Sequence, residues 1–440
     1  LAAVATIAPF RFLHTGDLHL DSPFAGITAD APPDVARVLR DATLTAWERI
    51  VALALAEGVD FVVVAGDVFE QANRTLLAQV RFRDGLARLA AAGVASFVVT
   101  GNHDPLSGWE PAVAWPEAAF RFGADDVTGV PARRDGEEIA RVYGMSYAVR
   151  DVRENLARRF RRDADAPFAI GLLHANVGSQ PGHLPYAPCN LADLRASGMD
   201  YWALGHIHRP AVLSGANPTV VYCGNPQGRD PGEPEPRGCY VVSVDRAGRA
   251  DPVFHATDVV RWRLLDVPID EVPGEEALVE SVATAADSAR ADAGRSVVVR
   301  LTLTGRGPLH ASLRRSGVLD EVRQLAQERL GTGAEFAWIE SLRDGTRPTI
   351  DPAGLGAPGT FLGELLTEGA AARASLVGPA TGGEGADAAD ALAWEEVLDE
   401  VYGHQRVRRV LAGRRPDARR VVELLAEAEQ VVVDRLAAEE

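Results

Sequence analysis

The chain has 440 residues carrying 45 basic against 62 acidic side chains, a formal charge of −17, and is long enough for two or three domains. Every basic side chain is arginine, which excludes chemistry on a lysine amine and the lysine-bearing P-loop. A hydrophobic content of 47% with 24% charged excludes wholesale disorder; the acidic balance excludes a surface coated in positive charge for indiscriminate nucleic-acid binding, but not a local basic groove.

Three cysteines, Cys189, Cys223 and Cys239, fall at no metal-like spacing, so neither a disulfide framework nor a zinc ribbon is expected, and a reduced cytoplasmic setting fits. The first ten residues, LAAVATIAPF, are apolar but lack a basic leader and are followed by Arg11, so no signal peptide is expected. No window reaches the roughly 18 to 20 unbroken apolar residues of a membrane span, which predicts a soluble protein with no membrane partner.

From residue 10 to about 260 the pattern is strand, loop, helix, repeated. FRFLH (10–14), VDFVVVAG (59–66), ASFVVTG (95–101), ARVYGMSYA (140–148), FAIGLLH (168–174) and DYWALGH (200–206) are β-branched or aromatic runs, several nearly continuous in apolar character as in strands buried on both faces. Between them 34–57, 74–92 and 151–162 carry apolar residues at helical spacing, and Gly58 and Gly93 stop the first two. VVYCG, GCYVVSV and VVRWRLLDV, within 219–265, read as antiparallel strands closing a second sheet.

The Pro-rich acidic stretch near 266–275 marks a boundary. A small α/β unit follows, with helices over 274–292 and 309–330 and strands over 296–305 and 335–342. Residues 351–390 are assigned to a linker, on the Ala-, Gly- and Asp-rich composition of 370–390, and 391–440 to a helical tail broken at Pro416. The domains expected are therefore 8–265, 266–350, the linker and the tail.

Five short motifs end the strands of the first domain: GDLH (16–19), GDVFE (66–70), GNHD (101–104), LLHAN (172–176) and GHIH (205–208). Loops at strand carboxyl ends are where α/β sheets place ligands. In Asp17-x-His19 and His206-x-His208 the paired side chains would project to one side of extended backbone, each pair gripping one small object. With Asp67, Asn102 and His174 they make seven imidazole, carboxylate and amide donors and no thiolate. Such a set suits two divalent ions of the Mn²⁺, Fe²⁺ or Zn²⁺ kind sharing a carboxylate, for attack of water on phosphorus. His103, beside Asn102, should turn toward substrate and protonate the leaving oxygen or stabilise the transition state, with Asp104 holding its tautomer.

These motifs, in this order, resemble the calcineurin-like metallophosphoesterases, and DLHLDS, GDVFE, GNHD, GHIH and VVYCGNPQGR resemble their SbcD and YhaO branch of DNA-repair nucleases. The resemblance implies an α/β fold, a four-layer α/β/β/α sandwich, with a small α/β capping domain and a helical tail. It implies one metal on Asp17, His19, Asp67 and His208, a second on Asp67, Asn102, His174 and His206, and His103 as the catalytic histidine. Asp21 and Asn225 would lie near the site. Glu70 departs from the archaeal and eukaryotic relatives, which carry His there, so a substrate role for that His does not carry over.

The expected function is Mn²⁺-dependent hydrolysis of DNA phosphodiesters, as a 3′ to 5′ repair exonuclease acting on DNA ends. By resemblance the tail docks an SMC-like ATPase of the SbcC or YhaN type, and relatives form homodimers. Two alternatives stand: a small-molecule phosphodiesterase or phosphatase with the same two-metal site, and a non-catalytic DNA-end-binding subunit of an ATPase complex. Arg150, Arg153, Arg158, Arg159, Arg161 and Arg162 read either as a phosphate-tracking run or as a solvated helix face. His14, His183, His255, His310 and His404 read as structural or surface residues, and Tyr143, Tyr147, Tyr201 and Trp202 as packing.

Overall fold

The computed structural model describes residues 7–24, 31–70, 75–107, 112–178, 186–331, 333, 335–349, 361–377, 399–400 and 418–437. The chain divides into two compact units, the first comprising Leu1–Leu265, Val282–Leu301 and Arg323–Leu342, the second Asp266–Ser281, Thr302–Val322 and Arg343–Glu440.

In the first unit, strands β1 (Phe10–Thr15), β2 (Phe61–Ala65) and β3 (Ala95–Val99) run parallel, joined by helices α1 (Pro33–Ala56) and α2 (Leu76–Ala91). With β4 (Ala119–Arg121), β11 (Gly238–Val244) and β12 (Ala250–Ala256) they form a sheet in the order β12-β11-β1-β2-β3-β4. The second sheet follows β5-β6-β7-β8-β10-β9, from Thr128–Arg134, Glu137–Gly144, Ala169–His174, Tyr201–Gly205, Thr219–Tyr222 and Ala211–Gly215 respectively. The alternation of side chains along a strand divides the cores. On β2, Phe61, Val63 and Ala65 pack with Phe168 and with Ile170 and Leu172 of β7 between the sheets, whereas Val62 and Val64 meet Trp47, Ile50, Phe82 and Leu86 of α1 and α2. On the far face of the second sheet Leu173, Trp202 and Leu204 pack with Phe160 and with Leu194 of α3 (Leu191–Ala196). The expected α/β/β/α sandwich is therefore present.

Three local expectations are corrected. The strands of 219–265 do not close one sheet: β10 joins the second, parallel to β8, β11 joins the first, antiparallel to β1, and β13 (Val260–Pro268) belongs to a third sheet of order β13-β14-β15 with Ser296–Thr304 and Ala337–Asp344. Residues 151–162 form no α-helix but a 3-10 turn, Leu156–Arg159, because the arginines there bond outward, Arg158 to Asp193, Arg159 to Asp126 and Arg162 to Asp200. The helix expected over 309–330 is two, Leu309–Leu313 and Val318–Arg329, with Gly317 at φ 90° between them.

Residues 282–301 and 323–342 cluster with the first unit, where Val298 and Trp338 share a core with Trp262, Val260, Val35 and Leu39. In the second unit a helix, Phe361–Val377, occupies part of the stretch assigned to a linker, and Arg373 pairs there with Glu429 of the tail helix Ala418–Ala437. The remaining linker residues and Pro416 lie outside the described residues. Among the described residues no helix is long and apolar enough to cross a membrane.

Candidate metal centre

Each motif follows a strand of the central sheets, so its side chains gather at one end of the sandwich. The backbone there is not extended: Asp17, His19, Asp67 and His206 have φ of 48°, 42°, 49° and 97°. Left-handed backbone at residues with a Cβ is costly and clusters where function requires it. Asp17 and His19 still bring their ligand atoms together, in one set with His208, while His206 and His208 part. His208 Nε2 lies 3.2 Å from His19 Nε2, while the ring of His206 packs 5.1 Å from that of His174. The GHIH pair thus serves two neighbouring spots.

Hydrogen bonds turn the imidazoles. His174, fully buried, has Nδ1 at 3.0 Å from the carbonyl of Ala65, which assigns its proton to Nδ1 and leaves Nε2 toward Asn102 Oδ1 at 2.9 Å and Asp67 Oδ2 at 3.3 Å. His208 Nδ1 lies 2.7 Å from Glu233 Oε1, and His19 Nδ1 lies 3.3 Å from Glu70 Oε2. The Glu233 contact puts the proton of His208 on Nδ1, so its Nε2 lone pair faces His19 Nε2, an arrangement a cation between the two rings would satisfy. Asp17 accepts the amide of His206 at 3.0 Å, and Asp67 accepts that of His103 at 2.8 Å while lying between the two histidine groups. Potential ligand atoms converge in the sets Asp17, His19 and His208; Asp17, Asp67 and His174; and His19, Glu70 and His103. The donor set and its inward nitrogens fit two divalent ions.

The electrostatics agree with a centre built for cations. Burial raises the Asp17 carboxyl to about 6 against the opposing pull of His174 and His208. Burial pushes Asp67 the same way, but the charge and hydrogen bond of His174 outweigh it and hold it well below the usual range. Burial disfavours charge on His174, yet Asp67 and Asp17 raise it to about 9, while His19 is lowered to about 3 by burial and then by the charge of Arg229. His103 ends above its ordinary value, its burial outweighed by the hydrogen bond to Glu70 and the charges of Asp67 and Glu70.

Asp104 does not hold the His103 tautomer. Its oxygens accept the amides of Gly101 at 2.7 Å and Val68 at 2.8 Å, pinning two motif loops together, and Glu70 Oε1 takes the contact with His103 Nδ1 at 2.6 Å. Glu233 escaped sequence reading because it lies 25 residues beyond His208 in a loop of turn formers, and no motif signals it. Asn225 donates to Glu233 at 3.1 and 3.2 Å, and Arg237 donates to the carbonyl of His208. Asp21 accepts from Thr75. His14 is buried against Tyr201, 3.1 Å from its hydroxyl, and Tyr143, Tyr147, Tyr201 and Trp202 are buried in the fold. His183 and His404 lie outside the described residues. A cavity of about 710 Å³ lies at the opposite end of β1, lined by Arg11, Asp60, Arg134, Asp245 and Arg249; Arg134 pairs there with Asp60 and Arg249 with Asp245, apart from this cluster.

Residues 10–210 match the family model of the calcineurin-like phosphoesterases, and 262–347 that of the middle domain of the metallophosphoesterase YhaO. The chain is 39% identical over 341 residues to the metallophosphoesterase YhaO of Bacillus subtilis, covering 77% of this chain and 83% of that protein. It belongs to the calcineurin-like metallophosphoesterases. Weaker similarity reaches the DNA double-strand break repair protein Mre11 of Haloferax volcanii, 30% identical over 53% of this chain and 49% of that one. It also reaches a subunit of the nuclease SbcCD of Bacillus subtilis, 26% identical over 49% of this metallophosphoesterase and 61% of its relative. Enzymes of this family are hydrolases that use a dimetal site.

Proposed function

We propose that this metallophosphoesterase hydrolyses phosphodiester bonds at DNA ends, as a 3′ to 5′ exonuclease. Asp17, His19, Asp67 and His208 would hold one divalent ion and Asp67, Asn102, His174 and His206 the other, with Mn²⁺ the expected metal. The observation that carries the reading is the inward turn of the Nε2 atoms of His19, His174 and His208 around Asp67, with His103 held beside them by Glu70. When bound, the ions supply a water of lowered pKa and offset charge on the phosphate oxygens. The chain's own groups supply the rest. Glu70 fixes the His103 ring through Nδ1 and favours its protonated form, so that Nε2 carries a proton for the departing oxygen. Glu233 and the Ala65 carbonyl orient His208 and His174.

DNA as substrate is supported by the nature of two relatives, Mre11 being a DNA double-strand break repair protein and SbcCD a nuclease, and by the middle domain that follows the catalytic one. The arginines of 150–162 do not add to that support, since Arg158, Arg159 and Arg162 are held by carboxylates of the fold. The SbcC- or YhaN-type ATPase partner, approached through the tail, and a homodimer belong to the same proposal.

The test is an assay on end-labelled linear DNA and on bis(p-nitrophenyl) phosphate, across Mn²⁺, Mg²⁺ and Zn²⁺, with wild type and His103→Gln. The proposal expects metal-dependent release of nucleotides from 3′ ends, and loss of about 10²-fold or more in His103→Gln with metal content retained. Hydrolysis of the small ester with intact DNA would replace the substrate; wild-type rates in His103→Gln would remove the role given to that histidine.

A further inference from the structure

The loop between β10 and β11 is built onto the metal centre. Glu233 Oε1 contacts His208 Nδ1 at 2.7 Å, Asn225 donates to Glu233, and Arg237 donates to the His208 carbonyl. The backbone N–H of Arg229 donates to Glu233 Oε2 at 2.8 Å, so one carboxylate anchors both His208 and the residue bearing this guanidinium. The Arg229 side chain has no comparable anchor. Its Nε is shielded from solvent and has no hydrogen-bond partner among the described residues.

A shielded guanidinium N–H without an acceptor bears the full desolvation cost of a charged donor, which an incoming acceptor would recover. Nothing in the described fold supplies that acceptor. Arginine's planar fork matches two oxygens of a phosphate group, and in a chain without lysine every permanently charged side-chain contact to phosphate must come from arginine. The neighbouring Arg237 is committed to the fold through His208 and Asn225, and Arg158, Arg159 and Arg162 through carboxylates. Arg237 likewise keeps a shielded Nε without a partner, but its Nη1 is spent on the fold, whereas among the described residues the Arg229 side chain makes no hydrogen bond.

We propose that Arg229 is the phosphate clamp of this enzyme, its guanidinium taking non-bridging oxygens of a phosphoester seated beside His19 and His208. The assignment rests on the phosphoesterase reading and extends it from hydrolysis to how the substrate is gripped. It concerns a group that binds substrate and holds no metal, which makes the two roles separable.

The experiment uses the full chain loaded with Mn²⁺, with bis(p-nitrophenyl) phosphate as substrate and inorganic phosphate as competing ligand, for wild type, Arg229→Gln and Arg229→Lys. Metal per chain is measured on each protein by elemental analysis. The clamp expects two ions per chain in all three. In Arg229→Gln it expects KM and the phosphate inhibition constant to rise together by about 10- to 100-fold, as for loss of a charge-assisted fork, with a smaller fall in kcat. Arg229→Lys should recover part of both, because a point charge replaces the fork. A change below twofold in both constants for Arg229→Gln, with wild type active, would overturn the clamp and leave the phosphoesterase reading intact. Loss of metal in both variants would overturn it too, showing that Arg229 only builds the centre. A metal-loaded wild type that neither turns over phosphodiesters nor binds phosphate would overturn the underlying reading.

Discussion

Glu70 touches two imidazoles at once, with Oε1 2.6 Å from His103 Nδ1 and Oε2 3.3 Å from His19 Nδ1. Burial would raise its carboxyl, but those two contacts hold it well below the usual range, so it stays an anion and favours the proton on His103. In Glu70→Gln the His103 pKa should fall, because the anion is gone while burial remains. If His103 acts as an acid, the alkaline limb of the kcat–pH profile then moves to lower pH and kcat drops by about 10- to 100-fold, as for a general acid in the wrong protonation state. An unmoved limb would show that Glu70 does not govern the titrating group. His14 gives the complementary case away from the ligands. Buried beside Tyr201, it is lowered to about 3 by desolvation, partly offset by a hydrogen bond to the backbone of Leu204. Its folded pKa lies below the unfolded value of 6.5, so the neutral form's stability is complete above that pH and is lost as pH falls toward 3. Between pH 7 and 5 the wild type should lose about 2 kcal/mol more than His14→Gln in denaturant melts, from about 1.4 kcal/mol per unit below 6.5. Parallel losses would mean that His14 does not drive acid unfolding.

At the scale of elements, the loops after the strands fit because glycine allows close approach. A Cβ on Gly101 would lie 2.3 Å from Asp67 Oδ1 and 2.8 Å from His174 Nδ1, whereas one on Gly93, at φ 78°, would meet nothing within 4 Å. Gly93→Ala should therefore cost only backbone strain, about 1 kcal/mol. Gly101→Ala should cost more and release metal, because Asp67 and His174 cannot both keep their places. Urea melts and metal content on the two variants read the difference; equal costs with metal retained in Gly101→Ala would refute the steric account. The same contrast explains what the sequence revealed. β2 and β7 were legible because a strand buried on both faces is a run of apolar residues, and each ended in a glycine or histidine motif. β4, Ala119–Arg121, and β12, Ala250–Ala256, were not, since edge strands with half-exposed side chains carry no such run. The seven donors were legible as a set, but the carboxylates that orient them were not. Glu70 and Glu233 are selected by tertiary contact with His103 and His208, which no spacing encodes. Left-handed backbone at Asp17 and His19 was equally hidden, because strand periodicity presumes extended conformation.

Over the whole molecule the charge of −17 is shared unevenly, with 24 Arg against 31 acids in residues 1–260 and 21 against 31 in 261–440. Divalent cations at the centre would offset part of that excess where it is most buried, around Asp17 and Asp67. A ligand that binds the folded chain alone stabilises it by mass action, about 2.7 kcal/mol at a hundred times its Kd, so Mn²⁺ should raise Tm and a chelator should reverse the shift. The protons refine this into a sharper expectation. Without metal, His174 is raised to about 9 by the charges of Asp67 and Asp17 acting against its burial, and so is protonated at pH 7. Asp17, raised to about 6 by burial, is then mostly ionised. A cation at Nε2 of His174 must displace that proton, so binding at pH 7 should release close to one proton per chain, and the apparent affinity should rise about tenfold per unit toward pH 9 and then level off. Titration calorimetry of Mn²⁺ in buffers of different ionisation enthalpy measures the count directly. In His174→Asn the proton release should vanish while the ion on Asp17, His19 and His208 remains. Unchanged release in that variant would place the displaced proton elsewhere and separate His174 from the metal centre.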